Sequence, residues 1–278
     1  MTHYIGELIQ HDTSIHLWCP DAEKKWYLIT SIDDHSRRLL YGDFWERETT
    51  WSHMVALKTV VTTFGCPLSY YVDNHAIFRF VARRDSMYRR ETCQEEEATV
   101  QWKTALRHLG IQIKYALSPA AKGKVERPYQ WLQDHIVRTC AREKISDIDE
   151  ARKILYEEIY RYNCKRVHSA TQEIPMVRYE EALEKNRSLF KNFSVKHPDE
   201  TLDDIFCYRL KRRVNPYRRI KLNKLQLSIS GVPLRAEVEC RISLHEKNQR
   251  AKVRFWYQGR LVGEQIVQAK DIQGVIQY

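Results

Sequence analysis

Three carboxylates stand where strand patterns end or a helix opens: Asp12, Asp73 and Glu126. Asp12 falls in the alternating run ELIQHDTSIHLW, Asp73 follows the apolar run SYYV, and Glu126 lies in AKGKVERPYQW beside Lys122, Lys124 and Arg127. Three such acids brought together repel one another unless a cation sits among them. Oxygen-only ligands suit Mg²⁺ or Mn²⁺. Two such ions about 3.5–4 Å apart activate an attacking oxygen and stabilise a leaving one in phosphodiester transfer. The three basic side chains around Glu126 suit backbone phosphates. Each acid alone also has an ordinary reading. Asp12 is then a solvated strand residue, Asp73 with Asn74 is a turn, and Glu126 is half of a surface ion pair.

The elements that would carry these acids are legible. Residues 7–18 alternate as a strand, Trp26 to Ile32 form a second, and RRLLYGDFWE a third, joined by short turns into an antiparallel meander. ETTWSHMVALKTVVTTFG has helical spacing and stops at Gly65 and Pro67. LSYYVDN reads as a short buried strand, QEEEATVQWKTALRHLG as a helix, IQIKYALS as a strand, and Val125 to Arg142 as a helix. The order over the first 145 residues is therefore β-β-β-α-β-α-β-α, a layout that makes the first and fourth strands central neighbours. Pro128 is compatible with a first helical turn, so the helix is expected to begin near Val125 to Arg127.

Three segments follow from these patterns. Residues 1–145 are the α/β unit and 146–200 a helical connector. Residues 201–278, with several short alternating runs and Asn-Pro, Ser-Gly, Lys-Asn and Gln-Gly turns, are a small all-β barrel. Arg212 and Arg213, with Arg218, Arg219 and Tyr217 nearby, suit phosphate contact there, or a solvated face. Asp33 and Asp34 end the second strand, and Asp34 with Arg37 is read as shaping the turn that follows.

The chain has 278 residues, 46 Lys and Arg against 36 Asp and Glu, and a net charge of +10, which favours a polyanionic partner. Its seven cysteines include no C-x-x-C pair and read as reduced thiols, several of them buried. No apolar run has signal-peptide or membrane-spanning length, so a soluble cytoplasmic protein is expected. Walker, GxSxG, dinucleotide and HExxH motifs are absent from the sequence.

Four stretches in order carry a resemblance: GELIQHD, LITSIDDHSR, FGCPLSYYVDNHAIF and LGIQIKYALSPAAKGKVER. Together they resemble the DDE integrase-core transposases of bacterial insertion sequences, in the RNase H-like superfamily, over roughly residues 6–140. The segment between Asp73 and Glu126 is longer than in the commonest members. The resemblance implies an α/β RNase H-like catalytic core, with a mixed five-stranded sheet and helices. It likens the terminal β region to the small barrel of phage Mu-like transposases. Asp12, Asp73 and Glu126 become the catalytic triad, holding two Mg²⁺ or Mn²⁺ ions. Asn74, Lys122, Lys124, Arg127, Arg212 and Arg213 become DNA contacts. The implied activity is metal-dependent DNA cleavage and strand transfer by a homo-oligomer assembled on DNA. An N-terminal end-recognition domain, expected in such enzymes, has no counterpart before Asp12. Two rivals stay open: an RNase H-like nuclease without joining activity, and a catalytically defective DNA-binding remnant.

Overall fold

The computed structural model describes residues 2–72, 93–115, 123–193, 195, 197–245 and 248–272, with the backbone alone at 93–100 and 123–127. The chain divides into two compact units, Met1–Arg79 with Leu109–Phe193, and Phe80–His108 with Ser194–Tyr278.

The first unit is built on a mixed five-stranded sheet. Its strands are β1 (Ile9–His16), β2 (Trp26–Asp33), β3 (Leu39–Trp45), β4 (Ser69–Val72) and β5 (Gln112–Tyr115), in the order β3-β2-β1-β4-β5. β1, β2 and β3 pair antiparallel, while β4 runs parallel to β1 and β5 parallel to β4. The mixed five-stranded sheet and the central pairing of the first and fourth strands are as the sequence leads one to expect. β1 loses the simple alternation of its sequence at the start: Ile9, Gln10 and His11 are all buried. A central strand is covered on both faces, so neighbouring residues of either parity lose solvent.

Helices α1 (Thr50–Phe64), α3 (Gly123–Glu143), α4 (Ile148–Cys164) and α5 (Pro175–Glu184) complete this unit. α1 starts with a capping box, in which the Ser52 amide donates to Thr49 Oγ1 (3.2 Å) and the Thr49 amide donates to Ser52 Oγ (3.0 Å). It ends at Gly65, whose φ of +101° suits glycine; a Cβ there would also lie 2.8 Å from the Lys191 carbonyl oxygen. α4 is capped by the Asp147 carboxylate, which accepts from the amides of Asp149 (2.8 Å) and Glu150 (3.1 Å).

α3 begins at Gly123, earlier than the Val125–Arg127 start expected, and carries Pro128 inside it. The proline forfeits one backbone hydrogen bond near the helix start. The burial of Tyr129, Leu132, Ile136 and Cys140 offsets that loss, because they join Trp18, Trp26, Leu28 and Phe44 of the sheet side in one apolar core. Ala151, Leu155 and Tyr162 of α4 enter the same core, so α4 in the 146–200 stretch is integral to the first unit.

The second unit contains α2 (Cys93–His108), the short α6 (Leu202–Ile205), and strands β6 (Tyr208–Arg213), β7 (Arg219–Leu222), β8 (Leu225–Ser228), β9 (Glu237–His245), β10 (Arg250–Tyr257) and β11 (Arg260–Gln268). Among the described residues the strands form an antiparallel sheet β11-β10-β9-β6 and a separate β7-β8 hairpin. β6 is the sheet edge, and Gln101 of α2 occupies it as a substitute strand partner: its amide nitrogen donates to the Arg209 carbonyl and its amide oxygen accepts from the Arg209 amide, both at 2.7 Å. The buried Asp204 carboxylate accepts from Trp256 Nε1 (3.0 Å), the Thr201 amide (2.8 Å) and Arg254. α2 thus belongs to this unit, although its sequence lies inside 1–145.

Candidate active site

Asp12 sits on the central strand, directly opposite Thr30 of β2 in the antiparallel register. Directly opposed residues point to the same face of a sheet. That face is covered by α3: Thr30 Oγ1 and Tyr129 Oη lie 2.7 Å apart, and Gln133 Nε2 reaches Ser14 Oγ at 3.5 Å. Positions 126, 129 and 133 follow helical spacing, so they lie along one face of α3. The helix face that carries position 126 is therefore the face docked on β1 and β2 around Asp12. Thr30 is fully buried, whereas Asp12 keeps partial exposure.

The opposite face of β1 is built differently. His11, next to Asp12 in sequence, has Nδ1 2.8 Å from Ser31 Oγ and Nε2 2.8 Å from His53 Nδ1, and His53 Nε2 lies 3.0 Å from Glu48 Oε1. Both histidines are buried. This chain of polar groups ties α1 to the central strand and satisfies groups that would be costly if left unpaired.

The acids that end β2 have structural partners. Asp33 accepts from the Gly6 amide (2.8 Å), the Ser36 amide (2.8 Å) and Ser36 Oγ (2.6 Å). Burial pushes its carboxyl above the usual range, and the bonds from Ser36 and Gly6 oppose that shift. Asp34 accepts from Arg37 Nη1 (2.9 Å) and from the Gln10 side chain. The Asp34–Arg37 pair thus shapes the turn into β3, as its sequence suggests.

Of the sequence-assigned site residues, Asp73, Asn74 and Lys122 lie outside the described residues, and Lys124, Glu126 and Arg127 are described by their position near the start of α3 alone. Among the described residues no group of three His, Cys, Asp or Glu side chains gathers as a metal site. Arg212 and Arg213 lie on β6 in the second unit; Arg213 is exposed, while Arg212 is half-buried and donates Nη1 to the Lys211 carbonyl (2.8 Å). Sequence reasoning missed Thr30 and Tyr129. The signal for Tyr129 was its place three residues after Glu126, but nothing in the sequence pairs it with a residue 99 positions earlier.

No protein-family model matches the chain. In sequence it is 33% identical over 158 residues to the putative transposase y4bF of Sinorhizobium fredii, an alignment covering 57% of this chain and 33% of that protein. It is 31% identical over 160 residues to the transposase for insertion sequence IS1202 of Streptococcus pneumoniae, covering 58% and 33%. The matched part is about a third of the length of either relative. Among solved structures, the HTLV-2 integrase catalytic core domain in complex with magnesium aligns with a TM-score of 0.48 at 14% identity, covering 64% of this chain and 99% of that one. Among the described residues no helix is long and apolar enough to cross a membrane.

Proposed function

We propose that this chain, which is similar in sequence to bacterial insertion-sequence transposases, is a DDE-type polynucleotidyl transferase that cleaves DNA phosphodiesters and transfers strands. Asp12, Asp73 and Glu126 are its metal ligands, and Mg²⁺ or Mn²⁺ is the metal, as two ions. The donor set fits. All three ligands are carboxylates, and the residue opposite Asp12 is the hydroxyl-bearing Thr30. When bound, the ions supply charge neutralisation at the phosphodiester and activation of the attacking oxygen.

The observation that carries this reading is the 2.7 Å Thr30–Tyr129 contact, which fixes the α3 face of position 126 against the strand position opposite Asp12. A second observation supports it. Gln10 and Tyr71 pair in the parallel β1–β4 register, and Asp12 and Asp73 each stand two residues further along the chain.

The residues divide the work. The three acids hold the metal. Asn74, Lys122, Lys124 and Arg127 hold the phosphate backbone beside it, a salt-sensitive role. Arg212 and Arg213 bind DNA from the second unit. Water attacks one phosphodiester and frees a 3′-hydroxyl. That hydroxyl then attacks a second phosphodiester, so one P–O bond forms as another breaks. The first unit, with α4 packed into its core, acts as the catalytic core, and the β-rich part of the second unit contacts DNA. The active form is a homo-oligomer on DNA in the cytoplasm.

Supercoiled plasmid at low salt, with Mg²⁺ or Mn²⁺, tests this. The wild type nicks the plasmid and joins ends, whereas Asp12→Asn and Glu126→Gln do neither. Nicking that survives both substitutions contradicts the assignment. Nicking without any joined product replaces strand transfer by simple hydrolysis.

A further inference from the structure

A groove of about 860 Å³ opens on the first unit between α3 and α4, lined by none of the sequence-assigned site residues. Trp131, Tyr156 and Tyr160 make its largely apolar wall, and Arg161, Lys165 and Arg166 its basic rim. Tyr156 and Tyr160 are one helical turn apart on α4 and remain 52% and 58% exposed. Two tyrosines held so open forfeit the burial that normally accounts for aromatic residues.

The charges are unevenly committed. Arg161 is paired with Glu158 at 2.6 Å. The Arg166 guanidinium lies over the Trp131 ring, 5.0 Å from its centroid, and over Tyr162 at 5.7 Å. A ring contact of this kind uses the flat face of a guanidinium, not its N–H edge. Among the described residues no carboxylate forms an ion pair with Lys165 or Arg166. Glu157 is the groove's one acid, against three cations.

We infer that this groove binds single-stranded DNA, taking unstacked bases on the tyrosine faces and their phosphates on Lys165 and Arg166. Aromatic faces beside cations are the elements of a sequence-tolerant single-strand platform. A duplex keeps its base faces stacked inside and cannot use the rings. An acidic peptide would use the cations but leave an aromatic wall without a matching surface. The inference extends the proposed function, since strand cleavage and joining expose unpaired ends, but the binding itself needs neither metal nor Asp12.

The test is fluorescence anisotropy of a labelled oligothymidylate of about 12 nucleotides, within the usual site size, beside a duplex of equal length. Tyr156→Ala with Tyr160→Ala weakens single-strand binding about tenfold or more and leaves duplex affinity unchanged. Lys165→Glu, at an exposed position, also weakens single-strand binding and flattens its salt dependence. Single-strand affinity equal to wild type in both variants overturns the inference. So does displacement of the oligothymidylate by polyglutamate of equal charge, which would make the groove a peptide site. Asp12→Asn retains oligothymidylate binding even where plasmid nicking is lost, so failure of this site and failure of the proposed activity read out separately.

Discussion

Thr30 and Tyr129, 99 residues apart in sequence, share a hydrogen bond of 2.7 Å between buried hydroxyls. It joins the strand position opposite Asp12 to the α3 face that carries position 126. Tyr129→Phe removes one partner and strips Thr30 of the other, a loss of about 1–3 kcal/mol for a buried polar group. The urea midpoint is expected to fall accordingly. Adding Thr30→Val, which removes the second polar group at similar shape, is expected to restore much of it. A double variant no more stable than Tyr129→Phe would show that the contact is not what holds α3 here.

Burial governs three of the thiols. It pushes Cys66 up to about 11, and Cys207 and Cys240 up to about 12, from an ordinary value of 9.0. A pKa raised by folding means that the protonated thiol belongs to the native state. The stability it carries is fully present below about pH 9 and is lost as pH rises through the folded values. Iodoacetamide at about pH 8 should therefore label the partly exposed Cys164 well before Cys66, Cys207 or Cys240. Mass spectrometry of the labelled peptides reads the order. Equal labelling would mean that these three thiols are open to solvent.

The two arginines on β6 should differ. Arg213 is exposed, whereas Arg212 already donates to the Lys211 carbonyl. Arg213→Ala is expected to lower the slope of log affinity against log salt by about 1 on duplex DNA, the loss of one phosphate contact. Arg212→Ala should lower it less. An unchanged slope in both variants would remove β6 from the DNA-contacting surface.

Much of the first unit was legible in the sequence, because its elements have local signatures. The run Trp26 to Ile32 matches β2, and the Gly65–Pro67 stop matches the end of α1. What the sequence did not show is long-range. Gln101 edges β6 through Arg209, so α2 groups with strands a hundred residues away, a partnership no local pattern encodes. The His11–His53 contact likewise joins a strand to a helix through polar groups that no local pattern pairs. α3 starts before the expected boundary and so holds Pro128 past its first turn, where the core gained by Tyr129, Leu132, Ile136 and Cys140 offsets the lost backbone bond. At the site, the order of the three acids was readable. The hydroxyl pair that aligns α3 with Asp12 was not, since neither Thr30 nor Tyr129 belongs to a charged or metal-ligating pattern.

The central claim is that Asp12, Asp73 and Glu126 share one metal site, and iron-directed cleavage tests it most directly. Fe²⁺ takes the place of Mg²⁺, and ascorbate with peroxide generates hydroxyl radicals that cut the backbone beside the bound ion. Cuts clustered near positions 12, 73 and 126, suppressed by excess Mg²⁺ and absent from Asp12→Asn, are the predicted result. Cuts confined to one of the three segments, or unaltered in Asp12→Asn, would contradict a shared site.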